Sequence, residues 1–269
     1  MNAWSTLKLR VAACVAGLAL AGALSACGSG GGSTAPAASV PDAPPPAPTA
    51  ADVTMLFMGN SHTSVHNVPG IVAALLRAAR PAQTVEAQVS PAWMLLNARG
   101  DDLESLALLG SKRWTVVVLQ AQDYSSSGQF VYPTTGAEKL VRLAREQGAK
   151  AVLFAEWPRQ GIPESGRIYE TYASIARVQP ACLPPIPQAF DLAALRHPGI
   201  ALHDADGNHS APAGAFLAAL LLFAAIDTTP VESLANLPGI AVDPESQRLL
   251  RLVARDAAAA VSPRNYCGG

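Results

Sequence analysis

Charged and aromatic residues are scarce in this sequence. Asp, Glu, Lys and Arg make up 14% of the 269 residues, Phe, Trp and Tyr make up 6%, and the formal net charge is −1. No stripe of Lys and Arg interleaved with aromatic residues occurs, and such a stripe is the usual mark of a nucleic acid-binding surface. We therefore expect no nucleic acid partner.

An apolar run that would cross a bilayer comfortably is also missing. The N-terminal apolar run extends from Val11 to about Leu24 and ends in Leu-Ser-Ala-Cys at Cys27. A transmembrane helix needs about 20 apolar residues, whereas the core of a secretion signal has roughly 7–15. Small residues before a cysteine resemble the lipobox of bacterial lipoproteins. The resemblance implies that residues 1–26 are a signal peptide and that lipidated Cys27 anchors the exported protein to a membrane of the cell envelope. A cleaved signal that contains a cysteine by chance is the alternative.

Large apolar side chains are almost absent from residues 28–52, which are rich in Gly and Ser and then in Pro and Ala. Such a segment cannot bury enough surface to offset the entropy lost on ordering. We interpret residues 27–52 as a lipidated tether that holds the domain away from the membrane. About 215 residues remain, at positions 53–269, which is enough for one domain with a sizeable core.

Cysteine is scarce as well, with four in the chain. Cys14 lies in the predicted signal peptide and Cys27 is the predicted lipid site, so only Cys182 and Cys267 remain in the domain. An exported compartment permits a disulfide between them, which would fix the C-terminal tail to the body of the domain. Two separate free thiols are the alternative.

Predicted strands and helices alternate along residues 53–269. Apolar runs predict strands at Val53–Met58, Val116–Leu119 and Ala151–Ala155, and we interpret Thr84–Val89 as a further strand. Helical periodicity predicts helices at Pro69–Ala79, within Leu95–Leu109, and at Ala137–Gln147, Ser165–Val178, Ala211–Ile226 and Pro244–Val261. The alternation predicts an α/β fold with a parallel sheet and right-handed crossovers. In such sheets the functional residues gather beyond the carboxyl ends of the strands.

Three polar clusters lie next to predicted strands or helices. Gly59-Asn60-Ser61 follows the first strand, where a serine beside backbone N–H groups is suited to act as a nucleophile. Gln120-Ala121-Gln122 follows the third strand, and a side-chain amide there can donate to a developing oxyanion. Asp206-Gly207-Asn208-His209 precedes an apolar helix, and an Asp three residues before a His can reach its Nδ1 atom. Taken singly, each cluster also fits a structural turn or a Gln that bonds to loop backbone.

The helix after the third cluster has its own start signal. Ser210 is a favourable N-cap residue, and Pro212 is well tolerated in a first turn. We therefore expect Ser210 to cap this helix and to anchor the loop that carries His209.

Together the clusters, in this order along the chain, resemble the SGNH (GDSL-like) hydrolases. The Gly-Asn-Ser loop and the Val-Val-Leu-Gln-x-Gln run look like an uncharacterised bacterial branch of that superfamily. The resemblance implies a three-layer α/β/α flavodoxin-like fold, the SGNH hydrolase fold, and ester hydrolysis without metal or cofactor. It further implies that Ser61 is the nucleophile and contributes its N–H to the oxyanion hole, that Gln122 is the side-chain oxyanion donor, and that Asp206 and His209 form the base system.

The sequence also departs from the family pattern. Asn60 replaces the usual Asp of the nucleophile loop, and Gln122 is one methylene longer than the family's Asn. The glycine expected after the second strand is replaced by Ser90-Pro91-Ala92-Trp93. Because Pro91 has no N–H, we assign the missing oxyanion donor to Ala92, with Trp93 as the alternative.

Aromatic residues past the strand ends are candidates for substrate contact. We select Trp93 and Tyr124, together with Asn60, as substrate-binding residues, although each aromatic side chain fits a core or lid position equally well. Glu156 and Trp157, which follow the fourth strand, are open to structural and functional interpretations alike.

Two histidines stand four residues apart, the spacing of two metal ligands on one helical face. No carboxylate or further histidine lies near His62 and His66 in the sequence, so we expect no metal site. His62 is instead expected at the pocket mouth and His66 at the surface.

These features predict a serine esterase that forms an acyl-enzyme. An envelope location favours an O-acyl group on a glycan or a small lipid ester as substrate. The altered motif after the second strand supports an alternative, a non-catalytic envelope module that binds glycan on a degenerate SGNH fold. A lipid-anchored scaffold protein is a third possibility.

Overall fold

The computed structural model describes residues 51–91 and 93–268. The predicted signal peptide, Cys27 and nearly all of the predicted tether lie outside the described residues, as does Ala92. Four parallel strands form the sheet in the order β2-β1-β3-β4. They are β1 (Val53–Met58), β2 (Val85–Val89), β3 (Val116–Leu119) and β4 (Lys150–Leu153).

Helices connect the strands and follow the last one. They are α1 (Ser61–Ser64), α2 (Val68–Ala79), α3 (Leu96–Arg99), α4 (Leu103–Leu109), α5 (Thr135–Glu146), α6 (Ser165–Val178), α7 (Ile186–Arg196), α8 (Pro212–Ile226) and α9 (Pro244–Ala260), with 3₁₀ turns at Val65–Asn67 and Val231–Ser233. No helix within residues 51–91 and 93–268 combines the length and hydropathy needed to cross a membrane.

The sheet lies between two apolar cores because successive side chains of a strand point to opposite faces. In β1, Met55 and Phe57 enter the core formed with α2, α7, α8 and α9. Leu56 and Met58 enter the core formed with α3, α4, α5 and α6. Helices therefore cover both faces of a parallel sheet, and the predicted three-layer α/β fold is confirmed.

Two helical regions differ from the sequence-based expectation. The predicted helix within Leu95–Leu109 is two helices, because α3 ends at Arg99 and the side chain of Asp102 accepts the N–H of Ser105 to start α4. Helix α7 was not predicted, because it begins in a proline-rich stretch that resembles a loop. Proline is nevertheless compatible with the first turn of a helix, where its missing N–H is not needed.

The expectation that Ser210 caps α8 is wrong. The N-cap residue is Ala211, which makes no side-chain capping bond, and the hydroxyl of Ser210 is buried without a hydrogen-bond partner. Ser210 instead forms an antiparallel bridge with His203. This bridge holds Ser210 in an extended conformation and delays the start of the helix.

Cys182 and Cys267 form a disulfide, with their Cα atoms 4.1 Å apart. Cys182 adjoins β4 through an isolated parallel bridge to Val152. Arg145 Nη1 donates to the carbonyl of Cys267 at 3.0 Å. The C-terminal tail is thus fixed to the edge of the sheet, and the alternative of two free thiols is wrong.

Removing this disulfide should lower the free energy of unfolding. The cysteines are 85 residues apart, and releasing a loop of that size raises the entropy of the denatured chain by an amount worth about 4–5 kcal/mol. We expect the Cys182→Ala/Cys267→Ala variant to unfold at a clearly lower urea concentration than the oxidised wild type. Dithiothreitol should destabilise the wild type and leave the double variant unchanged. Equal unfolding midpoints for the wild type and the double variant in the absence of dithiothreitol would contradict a stabilising role of the disulfide.

Candidate active site

The predicted functional loops meet beyond the carboxyl edge of the sheet. Ser61 begins α1 directly after β1, Gln120 and Gln122 follow β3, and Trp157 follows β4. His209 lies in the turn before α8. The sheet order places β1 between β2 and β3, so the loops after these strands surround Ser61.

Ser61, His209 and Asp206 form a continuous hydrogen-bonded chain. His209 Nε2 lies 2.9 Å from Ser61 Oγ, and His209 Nδ1 lies 2.6 Å from Asp206 Oδ2. An aspartate at Nδ1 fixes the proton there and leaves Nε2 free to accept the serine proton. The arrangement is suited to a nucleophilic serine with a general base.

The turn that carries His209 is built by Asp206 itself. Asp206 Oδ1 accepts the N–H groups of Asn208 and His209, both at 2.9 Å, and Gly207 adopts a left-handed φ of 66°. The hydrogen bond from the His209 side chain, followed by these backbone bonds, lowers the pKa of Asp206 well below its usual range. The carboxylate is half exposed, so water screens part of its charge.

The segment Gly59-Asn60-Ser61, called the nucleophile loop after the predicted role of Ser61, is held by its own backbone and by Gln120. Asn60 Oδ1 accepts the N–H of His62 at 3.0 Å and thereby caps α1. The N–H of Asn60 donates to Gln120 Oε1 at 2.9 Å. A side chain at Gly59 would collide with Thr63 Oγ1 and Gln120 Oε1, which explains the glycine. As the first residue of a helix, Ser61 has no intrahelical acceptor for its N–H, and this group is suited to stabilise an oxyanion.

Gln122 does not occupy the position expected of an oxyanion donor. Its side chain is buried, and Nε2 donates to the carbonyls of Asp123 at 3.2 Å and Pro133 at 3.1 Å. Since both N–H groups of the amide have backbone acceptors, neither is free for a substrate oxygen. The predicted role of Gln122 therefore disagrees with this geometry, and its neighbour Gln120 is the glutamine that contacts the nucleophile loop.

The remaining predicted binding residues have different surroundings. Trp93 is 66% exposed and is open to a ligand, whereas Ala92 lies outside the described residues. Tyr124 is half-buried, and burial together with the charge of Glu164 raises the pKa of its phenol. The side chain of Asn60 serves α1 as its cap, so the structure gives it a local structural role.

The ring of His62 packs between the rings of His209 and Trp157. His62 lies with its ring centroid 5.2 Å from that of His209 and 5.1 Å from that of Trp157. Trp157 is buried and donates from Nε1 to the carbonyl of Asn208 at 2.9 Å. Burial, followed by the charge of His209, lowers the pKa of His62 to about 4. Trp157 thus supports the turn, and His62 is a neutral ring at neutral pH.

His66 lies apart from this stack. Its Nε2 atom is 3.0 Å from Asp204 Oδ2. Within residues 51–91 and 93–268, no group of three or more His, Cys, Asp or Glu side chains is arranged to hold a metal ion.

Arg99 is a site residue that the sequence did not indicate. Its side chain is fully buried, and Nη2 donates to the carbonyl of Gly59 at 3.0 Å. Nη1 donates to Ser90 Oγ at 2.6 Å and to Ser105 Oγ at 2.9 Å. Burial lowers the pKa of the guanidinium. Arg99 thus connects the nucleophile loop with the loop after β2, but in the sequence it is an ordinary basic residue of a short helix.

Comparison with known proteins identifies similar solved structures. A DUF4886 family protein from Bacteroides uniformis is 16% identical, with a TM-score of 0.62 over 78% of this chain and 96% of that chain. A protein from Slackia heliotrinireducens, described provisionally as an SGNH hydrolase, is 26% identical, with a TM-score of 0.48 over 64% of this chain and 97% of that chain. A psychrotrophic esterase, EstA from Pseudoalteromonas sp., is 15% identical, with a TM-score of 0.44 over 78% of this chain and 98% of that chain.

No protein-family model matches the sequence, and no curated protein matches it either. The likeness to the Bacteroides uniformis protein shows a shared α/β fold.

The buried ring of His62 should make the protein less stable in acid. The pKa of His62 falls from 6.5 to about 4 on folding. Between these two pH values the imidazole is protonated in the unfolded chain but remains neutral in the folded protein. Stability is therefore lost as the pH falls through this range, by up to about 3 kcal/mol for the full shift. A His62→Phe variant should keep the ring packing and lose less stability on acidification. Urea titrations of both proteins, at neutral pH and near the lowered pKa, measure the free energy of unfolding lost on acidification. An equal loss in wild type and His62→Phe would contradict the role given to His62.

Proposed function

We propose that the domain is an SGNH-type serine hydrolase that cleaves carboxylic esters through an acyl-enzyme. The observation that carries the proposal is the hydrogen-bonded chain from Ser61 through His209 to Asp206. The shared α/β fold agrees with it. A module that only binds ligands has no need for a serine, a histidine and an aspartate joined in this way.

In the proposed first half-reaction, His209 Nε2 accepts the proton of Ser61 as Oγ attacks the ester carbonyl. The N–H of Ser61 stabilises the oxyanion of the tetrahedral intermediate. His209 then donates its proton to the leaving alcohol while the carbon–oxygen bond breaks and the acyl group remains on Ser61. In the second half-reaction water attacks the acyl-enzyme, gives its proton to His209 and releases the acid, and His209 returns the proton to Ser61.

The charges around His209 favour this cycle. Asp206 stays ionised because hydrogen bonds lower its pKa, and a carboxylate at Nδ1 stabilises the imidazolium formed during attack. His62 stays neutral because burial and the adjacent His209 lower its pKa to about 4. A second cation next to His209 would oppose the formation of the imidazolium.

We further propose that the domain acts in the bacterial cell envelope, held by a lipid on Cys27. The support is the lipobox-like sequence before Cys27 and the tether that follows it. In that location the substrate is an O-acyl group on a glycan or a small lipid ester.

One observation favours a second candidate function, a non-catalytic module that binds glycan at the same site. The amide hydrogens of Gln122 are occupied by backbone carbonyls, so the site lacks the side-chain oxyanion donor that the sequence suggested. Trp93, which is exposed in the segment between β2 and α3, would offer an aromatic surface to a sugar ring.

Ester hydrolysis tests the proposal directly. We expect the purified domain, residues 53–269, to hydrolyse p-nitrophenyl acetate or butyrate. Ser61→Ala should lower the rate by about 10³-fold or more because the nucleophile is lost. Ser64→Ala is a matched control. Ser64 lies in the same helix as Ser61, and its hydroxyl donates a long hydrogen bond, 3.4 Å, to the carbonyl of Asn60. Equal rates for wild type, Ser61→Ala and Ser64→Ala, with folds intact by circular dichroism, would favour the glycan-binding module.

Membrane fractionation tests the anchor. In a bacterial host, the full-length protein should sediment with membranes, and Cys27→Ser should remain soluble or uncleaved because it has no thiol to acylate. Cys14→Ser is the control and should behave like the wild type. Processed Cys27→Ser protein that still sediments with membranes would contradict lipidation at Cys27.

A further inference from the structure

A buried carboxyl group, that of Glu156, contacts Gln120 and Tyr172, and the proposed reaction gives it no role. Glu156 follows β4 and is only 8% exposed. Its Oε2 atom accepts the hydroxyl of Tyr172 at 2.6 Å and faces Gln120 Nε2 at 3.5 Å. Burial raises the pKa of Glu156 to about 7, so an acidic residue at this position is costly to the fold.

The first partner, Gln120, leads to the nucleophile loop. Its Oε1 atom accepts the N–H of Asn60 and the hydroxyl of Thr63, both at 2.9 Å. A backbone N–H can only donate, so the amide oxygen must face the loop and the amide nitrogen must face Glu156. The carboxyl of Glu156 therefore provides the acceptor that holds the Gln120 amide in this orientation.

The second partner, Tyr172, leads to the loop after β3. Its hydroxyl oxygen accepts the N–H of Ala121 at 3.1 Å and of Gln122 at 3.0 Å. The single hydroxyl proton is then directed to Glu156 Oε2. Ala121 has a φ of 78°, a left-handed conformation that is uncommon for alanine. Because it accepts both N–H groups, the Tyr172 hydroxyl stabilises this left-handed section of the loop.

We propose that Glu156 is a positioning residue that aligns the nucleophile loop with the loop after β3, acting through Gln120 on one side and Tyr172 on the other. The inference rests on the proposed function for its effect on catalysis. It does not require Glu156 to touch the substrate. Ser61 keeps its place opposite His209 because Asn60 and Thr63, which flank it, are held by an amide whose direction the carboxyl determines.

Two substitutions at Glu156 separate positioning from a general structural role. Glu156→Gln keeps the shape and an oxygen acceptor for the Tyr172 hydroxyl and the Gln120 amide, so kcat for p-nitrophenyl butyrate should stay within about threefold of wild type. Glu156→Met has a similar volume and no such acceptor. Its kcat should fall by about tenfold to a hundredfold, because a small misplacement of the nucleophile is costly. KM should change little, since Glu156 is buried and touches no substrate in this proposal.

Helix α6 supplies a matched pair of tyrosine variants. Tyr172→Phe removes the hydroxyl that joins Glu156 to the loop after β3, and kcat should fall as in Glu156→Met. Tyr169→Phe is the control, since the Tyr169 hydroxyl is buried in the same helix without a hydrogen-bond partner. The double variant Tyr172→Phe/Glu156→Met should lose little more activity than either single variant, because residues of one network are not independent.

Amide hydrogen exchange gives a readout that does not depend on turnover. The N–H groups of Asn60, Ala121 and Gln122 should exchange at least about tenfold faster in Glu156→Met and remain protected in Glu156→Gln. A wild type without esterase activity would refute the proposed function and leave this test intact. Unchanged exchange at the three amides in folded Glu156→Met, or equal kcat losses in Glu156→Gln and Glu156→Met, would overturn the positioning role.

Discussion

Strand β1 is buried on both faces, and the position of Ser61 depends on this double burial. Met55 and Phe57 belong to one core, Leu56 and Met58 to the other. A shift of one residue would exchange these side chains between the two faces, so the register of β1 against β2 and β3 is strongly specified. The ladder continues to the end of the strand, where Gln120 N–H donates to the carbonyl of Met58 at 2.9 Å. Ser61 therefore follows one of the most constrained segments of the described domain.

Beyond the strand ends, hydrogen bonds from buried polar side chains hold the loops in place. Gln120 and Arg99 both bond to the nucleophile loop, and Arg99 also reaches Ser90 after β2. Hydrogen bonds in such a dry environment are strong, and a donor or acceptor that loses its partner is correspondingly costly. The loops are thus held by the buried side chains of Gln120 and Arg99, and the apolar layers of the domain provide the dry surroundings.

The histidine side of the site depends on aromatic packing instead. Trp157 bonds to the carbonyl of Asn208 and packs against His62, which packs against His209. Burial keeps the ring of His62 uncharged, and the half-exposed carboxylate of Asp206 supplies the local negative charge. The site therefore combines a serine held by its loop, a histidine supported by ring packing and a carboxylate that is hydrogen-bonded to this histidine.

The sequence by itself determined the features that depend on local pattern. The sequence pattern located the four strands, and their alternation with helices predicted an α/β fold with a parallel sheet. The spacing of Asp206 and His209 allows their contact within one turn, and the structure brings Ser61 from the end of β1 to the same place.

Only the tertiary structure decided the features that depend on distant partners. The choice between Gln120 and Gln122 follows from the left-handed Ala121, whose N–H is held by Tyr172, 51 residues away. The neutral His62 likewise depends on the buried surroundings that Trp157 and His209 help to create. Helix periodicity and turn chemistry are properties of neighbouring residues, whereas the direction of a loop side chain and its pKa are set by whatever the fold packs against it.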